Sequence, residues 1–223
     1  LYGPSGVGKS SLLRAAVARR LRELAPDAHV LVLDRWAEEP TLPEPEGETF
    51  FILDQFEEYF LYHETDGPIA QQLARLLQER RARVLIAMRE DQLAQLDAFQ
   101  ADIPNVFANR LRLGHLDESA ARAAIVGPLD RWNAVAPQEA RVGIETALVD
   151  AVLAQVASAP DQIEAPYLQL VLERVWEHEQ EAGSRVLRLE TLERLGGAEA
   201  IVSAHLARAL AALPPRDAEV ATN

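Results

Sequence analysis

The sequence predicts an α/β protein: a parallel sheet covered by helices on both faces, followed by a C-terminal α-helical subdomain. Three observations carry this. Short apolar, Val- and Leu-rich runs at His29 to Trp36, Thr49 to Asp54 and Arg83 to Arg89 alternate with segments of helical period, as in strands buried between helices. A glycine-rich turn at residues 3–8 leads straight into one of those helices. Beyond Leu116 helix signals dominate.

From Ser10 to Leu24 the positions Leu13, Val17, Leu21 and Leu24 recur at helical spacing, Arg14, Arg19, Arg22 and Glu23 take the other faces, and Pro26 closes the helix. "HVLVLDRW" is the first buried strand, and the prolines and acids of Ala37 to Glu48 make the loop after it. "TFFILD" is the second strand, with "QFEEYFLYH" a short helix behind it. Gly67-Pro68 opens a helix with Ile69, Leu73, Leu76 and Leu77 on one face, "RVLIAMR" is the third strand, and Leu93 and Leu96 lie on another short helix. "NRLRLGHL" (Asn109 to Leu116) is a fourth strand candidate. Then come helices capped at Asp117, over Thr146 to Val156, over Pro166 to Glu179 with a Leu168, Val171, Leu172, Val175 stripe, and over Ile201 to Leu213, where Pro214-Pro215 stops the chain of turns. "RVLRL" at Arg185 to Leu189 is at most a short strand, and Trp132 and Trp176 read as core residues.

Composition narrows the chemistry. The 223 residues carry a net charge of −13 and are 48% apolar, an ordinary globular balance that can bury a substantial core. Without cysteine there is no disulfide, thiolate nucleophile or Cys-ligated zinc, and the five histidines show no metal-ligand spacing. The acidic balance disfavours nucleic acid as a direct ligand, and no run approaches the roughly 18 apolar residues of a membrane span. A cytoplasmic location is expected. Leu1 is not an initiator methionine and the glycine-rich motif opens at Gly3, so the chain is expected to be a segment of a longer protein.

"GPSGVGKS" matches G-x-x-x-x-G-K-[ST], in which backbone amides and a helix N-terminus wrap phosphate oxygens. Gly3, Pro4, Ser5, Gly6, Val7, Gly8, Lys9, Ser10 and Ser11 are the expected nucleotide-binding residues, Lys9 reaching the β- and γ-phosphates and Ser10 ligating Mg²⁺. Lys9 is the sole lysine of the chain; every other strongly basic residue is arginine, so the compact ammonium matters at that position. Guanine reading through [NT]-K-x-D is thereby excluded within these residues. Asp54, ending a buried strand, is the second expected Mg²⁺ residue. Glu57 and Glu58 are the candidates to polarise an attacking water, or are solvated helix carboxylates. Arg89, at the carboxyl end of its strand, is either a γ-phosphate sensor or an ion-pair partner of Glu90 or Asp91.

Taken in order, "GPSGVGKSSLLRA", "FFILDQFEEYF", "VLIAMREDQLAQL" and "LRLGHLDESAARAAIVGP" resemble successive motifs of the STAND ATPases, in particular the bacterial novel-STAND group whose Mg²⁺ strand reads D-Q-F-E-E. "APYLQLVLERVWEHE" and "LERLGGAEAIVSAHLARAL" are similar to that group's helical region. The resemblance implies a P-loop NTPase sheet of the ASCE type, related to NACHT and NB-ARC proteins, that binds ATP or ADP with Mg²⁺. It implies a switch that self-associates on activation, with sensor and effector domains outside this segment and relatives in antiphage defence. In that family a Gly-x-Pro turn contacts adenine, which carries over to Pro128 of Gly127-Pro128; the alternative is an ordinary helix breaker. Gln55 stands where AAA+ enzymes place a catalytic Glu, which implies slow hydrolysis. The expected domains are a nucleotide-binding core over 1–113, a helical subdomain over 114–197 and the start of a winged-helix-like domain over 198–223. An AAA+-type motor acting on protein or nucleic acid and a noncatalytic scaffold are the rival readings.

Overall fold

A computed structural model of the protein describes residues 1–64, 67–159 and 162–212. The chain divides into two compact units, Leu1–Gly114 and a second beginning at His115.

In the first unit, β1 (Tyr2–Gly3) leads through the glycine-rich loop into α1, residues 9–24. Next come β2 (His29–Leu33), β3 (Thr49–Leu53), a 3₁₀ turn (Phe56–Glu58) and the short α2 (Tyr59–Tyr62). They are followed by α3 (Pro68–Gln78), β4 (Ala82–Ile86), β5 (Met88–Arg89) and a 3₁₀ segment (Glu90–Ala101). β4 pairs with β3, and β3 with β2, all parallel. One residue after β4, β5 pairs with β1 on the other side, Tyr2 opposite Met88 and Gly3 opposite Arg89. Residues 82–89 are thus one strand that changes neighbours at Ala87, whose N–H still donates to the Leu53 carbonyl at 2.8 Å. The order across the sheet is β2, β3, β4/β5, β1.

Side chains alternate across the pleat, so β3 is buried on both faces. Phe51 and Leu53 join Trp36, Phe56, Tyr59, Leu73, Met88 and Phe99 in one core, while Ile52 joins Leu13, Ala18 and Ala87 in the other. Within α1, Leu13–Val17 is a π segment between two α-helical stretches. Its wider turn shifts the apolar stripe. Ala18 is therefore buried, while Leu24, expected on the stripe, is exposed.

The expected fourth strand is not formed. Among the described residues, 109–116 make only two isolated bridges, Tyr2 with Arg112 and Leu116 with Ile163. Around the first, the Tyr2 N–H donates to the Leu111 carbonyl and the Leu113 N–H to the Tyr2 carbonyl. The reason is the partner: β1 offers two residues, which is too little backbone for a longer ladder.

In the second unit α4 (Glu118–Val135) is capped by Asp117, whose carboxylate accepts from the Ala120 N–H at 2.7 Å. It is followed by β6 (Gly143–Ile144), α5 (Thr146–Val156) and the antiparallel pair of β7 (Ala157–Ala159) and β8 (Gln162–Ile163). Then come α6 (Ala165–Glu181), β9 (Val186–Leu187), α7 (Leu189–Arg194) and α8 (Gly197–Ala211). The α6 stripe of Leu168, Val171 and Val175 meets Leu148, Val152 and Leu192 in one core. Helix α8, expected to open a further domain, packs on α5, α6 and α7 and buries Ala198 and Ile201 in that core. Pro214-Pro215 lies outside the described residues. Trp176 packs against the core, but Trp132 is half exposed, held by its indole N–H donating to the Ala140 carbonyl.

The Gly-x-Pro turn expected at Gly127-Pro128 is also absent. Pro128 lies inside the continuous helix α4. A proline there removes the hydrogen bond to the carbonyl four residues earlier, but both Ala124 and Pro128 are exposed, so that carbonyl is not shut away from solvent and the helix continues.

One buried carboxylate ties the second unit together. Glu179 of α6 accepts from Thr191 Oγ1 of α7 at 2.5 Å and from Arg188 at 2.7 Å. Burial opposes its charge, but the hydrogen bonds from Thr191 and Ser184 and the positive Arg188 outweigh it and hold the carboxyl below its ordinary range. Such a group adds stability that is present above the unfolded value of about 4.3 and lost as pH falls through the folded one. Glu179→Gln is expected to lower stability by about 1–3 kcal/mol at pH 7 in urea melts. It is also expected to flatten the loss of stability on acidification; a variant that parallels the wild type down the acid limb would remove Glu179 from that role.

Candidate functional site

The glycine-rich loop leaves the carboxyl end of β1 and closes around its own lysine. Lys9 is buried, and its ammonium donates to the carbonyls of Gly3 at 3.0 Å and Pro4 at 2.7 Å. Burial lowers the Lys9 pKa, opposed by the negative charges of Glu57 and Asp54 and aided by Arg89. The loop must turn sharply: Gly8, at the mouth of α1, has φ 93°, a left-handed value that a side chain disfavours. No side chain caps α1, so its first-turn amides and the positive end of its dipole are left for an anion. Gly3 answers a second demand that the motif does not mention. A Cβ there would stand 2.1 Å from the Leu113 carbonyl oxygen, so the first glycine also admits the neighbouring chain. Val7 is buried and pins the loop, while Ser5, Gly6 and Ser11 are exposed.

Asp54 follows β3 directly and is buried. Its Oδ1 accepts from the Ser10 hydroxyl at 2.9 Å and from the Gln55 N–H at 3.1 Å. Its backbone carbonyl accepts from the Trp36 indole at 2.8 Å. Gln55 then takes a left-handed conformation, φ 54° and ψ 40°, which bends the chain sharply into the 3₁₀ turn carrying Glu57 and Glu58. Of these two, Glu57 reaches the site. Its Oε2 accepts from the Arg89 N–H at 3.2 Å, and its charge acts on Lys9 more than that of any other acid. The Glu58 N–H donates to the Gln55 carbonyl at 3.0 Å, but its carboxylate makes no hydrogen bond or ion pair among the described residues.

Arg89 ends β5, opposite Gly3 in the register. Its guanidinium is paired with Asp91, Nε to Oδ1 at 3.0 Å and Nη2 to Oδ2 at 2.7 Å, which is the ion-pair alternative of the sequence reading. Three residues of the neighbourhood escaped that reading. Arg14, one helical turn after Ser10, lies 2.5 Å from Asp34 at the end of β2 and 3.5 Å from Asp54. The spacing from Ser10 could have flagged Arg14. Nothing local marks Asp34 or the Trp36 anchor. Pro128 belongs to the second unit.

The donors fit a Mg²⁺ ion bound with nucleotide. Mg²⁺ keeps several waters and takes few protein ligands beside phosphate oxygens. A hydroxyl and a carboxylate in mutual contact at Ser10 and Asp54 answer to that, and no cluster of three or more His, Asp or Glu able to hold a metal by itself occurs among the described residues.

The model of the novel STAND NTPase 1 family matches residues 31–223. The chain belongs to this family. The match begins after the glycine-rich loop, so in this STAND NTPase the loop rests on its own motif and geometry. The sequence matches none of the curated proteins with which it was compared. Among solved structures it is similar to the ORC1 protein of Aeropyrum pernix in complex with DNA, at 14% identity over 96% of this chain and 62% of that one, TM-score 0.65. It is also similar to the ORC2 protein of the same organism in ADPNP–ADP complexes, at 14% identity over 86% of this chain and 60% of that one, TM-score 0.62. Cdc6p of Pyrobaculum aerophilum is similar at 17% identity over 87% of this chain and 60% of that one, TM-score 0.59. The chain thus spans about 60% of the length of these structures. The likeness shows the fold, that of P-loop ATPases of the ASCE and AAA+ type, and family and fold together are those of nucleotide-binding NTPases.

The Trp36 anchor yields a test. Trp36→Phe keeps the aromatic packing against Phe56 and Tyr59 but leaves the buried Asp54 carbonyl without its donor. The expected loss in a urea melt is about 1–3 kcal/mol; an unchanged midpoint would mean that another donor replaces the indole.

Proposed function

We propose that this chain is the ATP-binding switch module of a STAND signalling protein. In this reading it binds ATP or ADP with Mg²⁺, hydrolyses ATP slowly, and couples nucleotide state to opening and self-association into an oligomer. Sensor and effector domains outside the segment receive and deliver the signal, in bacterial antiphage defence or signal transduction in the cytoplasm. The observation that carries the reading is the hydrogen bond of Ser10 to the buried Asp54 beside the loop-bound Lys9, with glutamine immediately after the aspartate. The switch output is a shift in conformational populations, which needs bound nucleotide and no fast turnover.

The roles follow from position. The loop amides and Lys9 hold the β- and γ-phosphates, Lys9 exchanging its contacts with the Gly3 and Pro4 carbonyls for phosphate oxygens. Ser10 and Asp54 would hold Mg²⁺, which neutralises phosphate charge. Glu57 orients a water for attack on the γ-phosphorus and takes its proton, as the bond from that phosphorus to the β–γ bridging oxygen breaks. Gln55 has no carboxylate to serve as that base, and Glu57, tied to a backbone amide, is one turn removed from Asp54. Both features support slow hydrolysis. The likeness to ORC and Cdc6 proteins favours a second reading, an AAA+-type ATPase acting on protein or nucleic acid.

Nucleotide content after denaturation and steady-state turnover distinguish the two in the intact protein. The switch predicts retained ADP or ATP and turnover below about 1 s⁻¹, both lost in Lys9→Ala. An empty site with rapid, Lys9-dependent turnover would sink it and favour the motor. Within the switch reading, Glu57→Gln is expected to lower kcat by about 10²-fold or more, with Glu58→Gln close to wild type; equal losses in both variants would remove Glu57 as the base.

A further inference from the structure

We propose that Asp91 sets the preference of this site for ATP over ADP, by competing with the terminal phosphate for the guanidinium of Arg89. The proposal rests on reading Arg89 as the residue that meets the γ-phosphate. Its new content is that the chain carries its own competitor for that contact.

The backbone places Arg89 beside the loop: it is opposite Gly3 in the register, and its N–H is held by Glu57. Gly3 opens the loop that carries Lys9, so a phosphate held by that loop lies at the end of the strand paired with that of Arg89, and its oxygens are alternative partners for the guanidinium. In the structure the Arg89 fork is instead closed on the two oxygens of Asp91, a geometry that a phosphate with two free oxygens reproduces. The intervening Glu90 is taken in the same two-pronged way by Arg112, at 2.8 and 3.2 Å, so the two acids after Arg89 each hold one arginine and Asp91 is the partner of Arg89. The Arg89–Asp91 pair joins residues two apart and is about half exposed on both sides, 45% and 51%. It closes no loop and buries no charge, so it contributes little to the fold. A phosphate can displace it readily.

The consequence is asymmetric. ADP ends at the β-phosphate, held by the loop, and leaves Arg89 on Asp91. ATP must take Arg89 from Asp91 to complete its contacts, so the strength of the pair is subtracted from ATP binding alone. A state-dependent contact of this kind biases which nucleotide the site retains.

The test is competition of ADP and of a non-hydrolysable ATP analogue against a fluorescent ADP on the intact protein, for wild type, Asp91→Asn, Asp91→Ser and Arg89→Ala. Both Asp91 variants are expected to bind the ATP analogue about threefold more tightly, the worth of an exposed ion pair, with ADP affinity and melting temperature unchanged. Arg89→Ala is expected to abolish the preference, and adding Asp91→Asn to it should change nothing further. If Arg89→Ala loses the preference while both Asp91 variants keep the wild-type ratio of affinities, the competition is overturned and Arg89 sensing stands. If Arg89→Ala keeps the preference, the sensing role falls and the competition with it. Equal tightening of both nucleotides in the Asp91 variants would mean a general charge effect and would also overturn the proposal.

Discussion

The carboxyl edge of the first unit depends on a single strand, residues 82–89, bonding to two neighbours in succession. Up to Ile86 it extends the ladder of β3, and from Met88 it holds β1, the root of the glycine-rich loop. The loop, Asp54 and Arg89 belong to three separate strands that meet only because this strand lies between the other two. At the changeover Ala87 bonds on both sides of the turn after β3: its N–H donates to Leu53, and its carbonyl accepts from Phe56. The same residue that lets the strand change partners therefore also seats the turn carrying Glu57.

Buried charge at this edge is held by backbone as well as by opposite charge. Lys9 is satisfied by two loop carbonyls, and Asp54 by a hydroxyl and an amide, with its own carbonyl capped by an indole. Buried charges without such partners are costly, so these contacts keep both ionised groups tolerable in the core. The arginines follow another rule. Arg14, Arg89 and Arg112 are each about half exposed and lie on carboxylates beside the site. Exposed pairs of this kind are weak, which the exchange proposed for Arg89 requires.

Much of this was legible in the sequence. The loop, its lysine and the strand ending in Asp54 are encoded by local pattern, because a phosphate cradle needs glycines at fixed offsets and a buried parallel strand needs a continuous apolar run. The helical second unit was legible too, since the apolar stripe of α6 and the Asp117 cap are short-range features. Several expectations failed, Trp132 in the core among them, and three of the failures have reasons that local pattern does not contain. The π segment in α1 moved Leu24 out of the core. Residues 109–116 read as a strand but have only two residues of β1 to pair with. Pro128 read as a turn, yet an exposed helix face tolerates the missing hydrogen bond.

By itself, then, the sequence determined the chemistry available to this protein: a lysine, a serine and an aspartate in a phosphate-binding pattern, with glutamine directly after the aspartate. Only the tertiary structure decided which of two adjacent glutamates faces the loop, that Trp36 anchors Asp54, and that Arg89 is held by Asp91. The physical reason is that such contacts join residues about twenty to thirty positions apart, or choose among near neighbours by the turn of the backbone. Neither leaves a periodic signal. The left-handed bend at Gln55 is one such choice, made by packing behind β3 rather than by residue type.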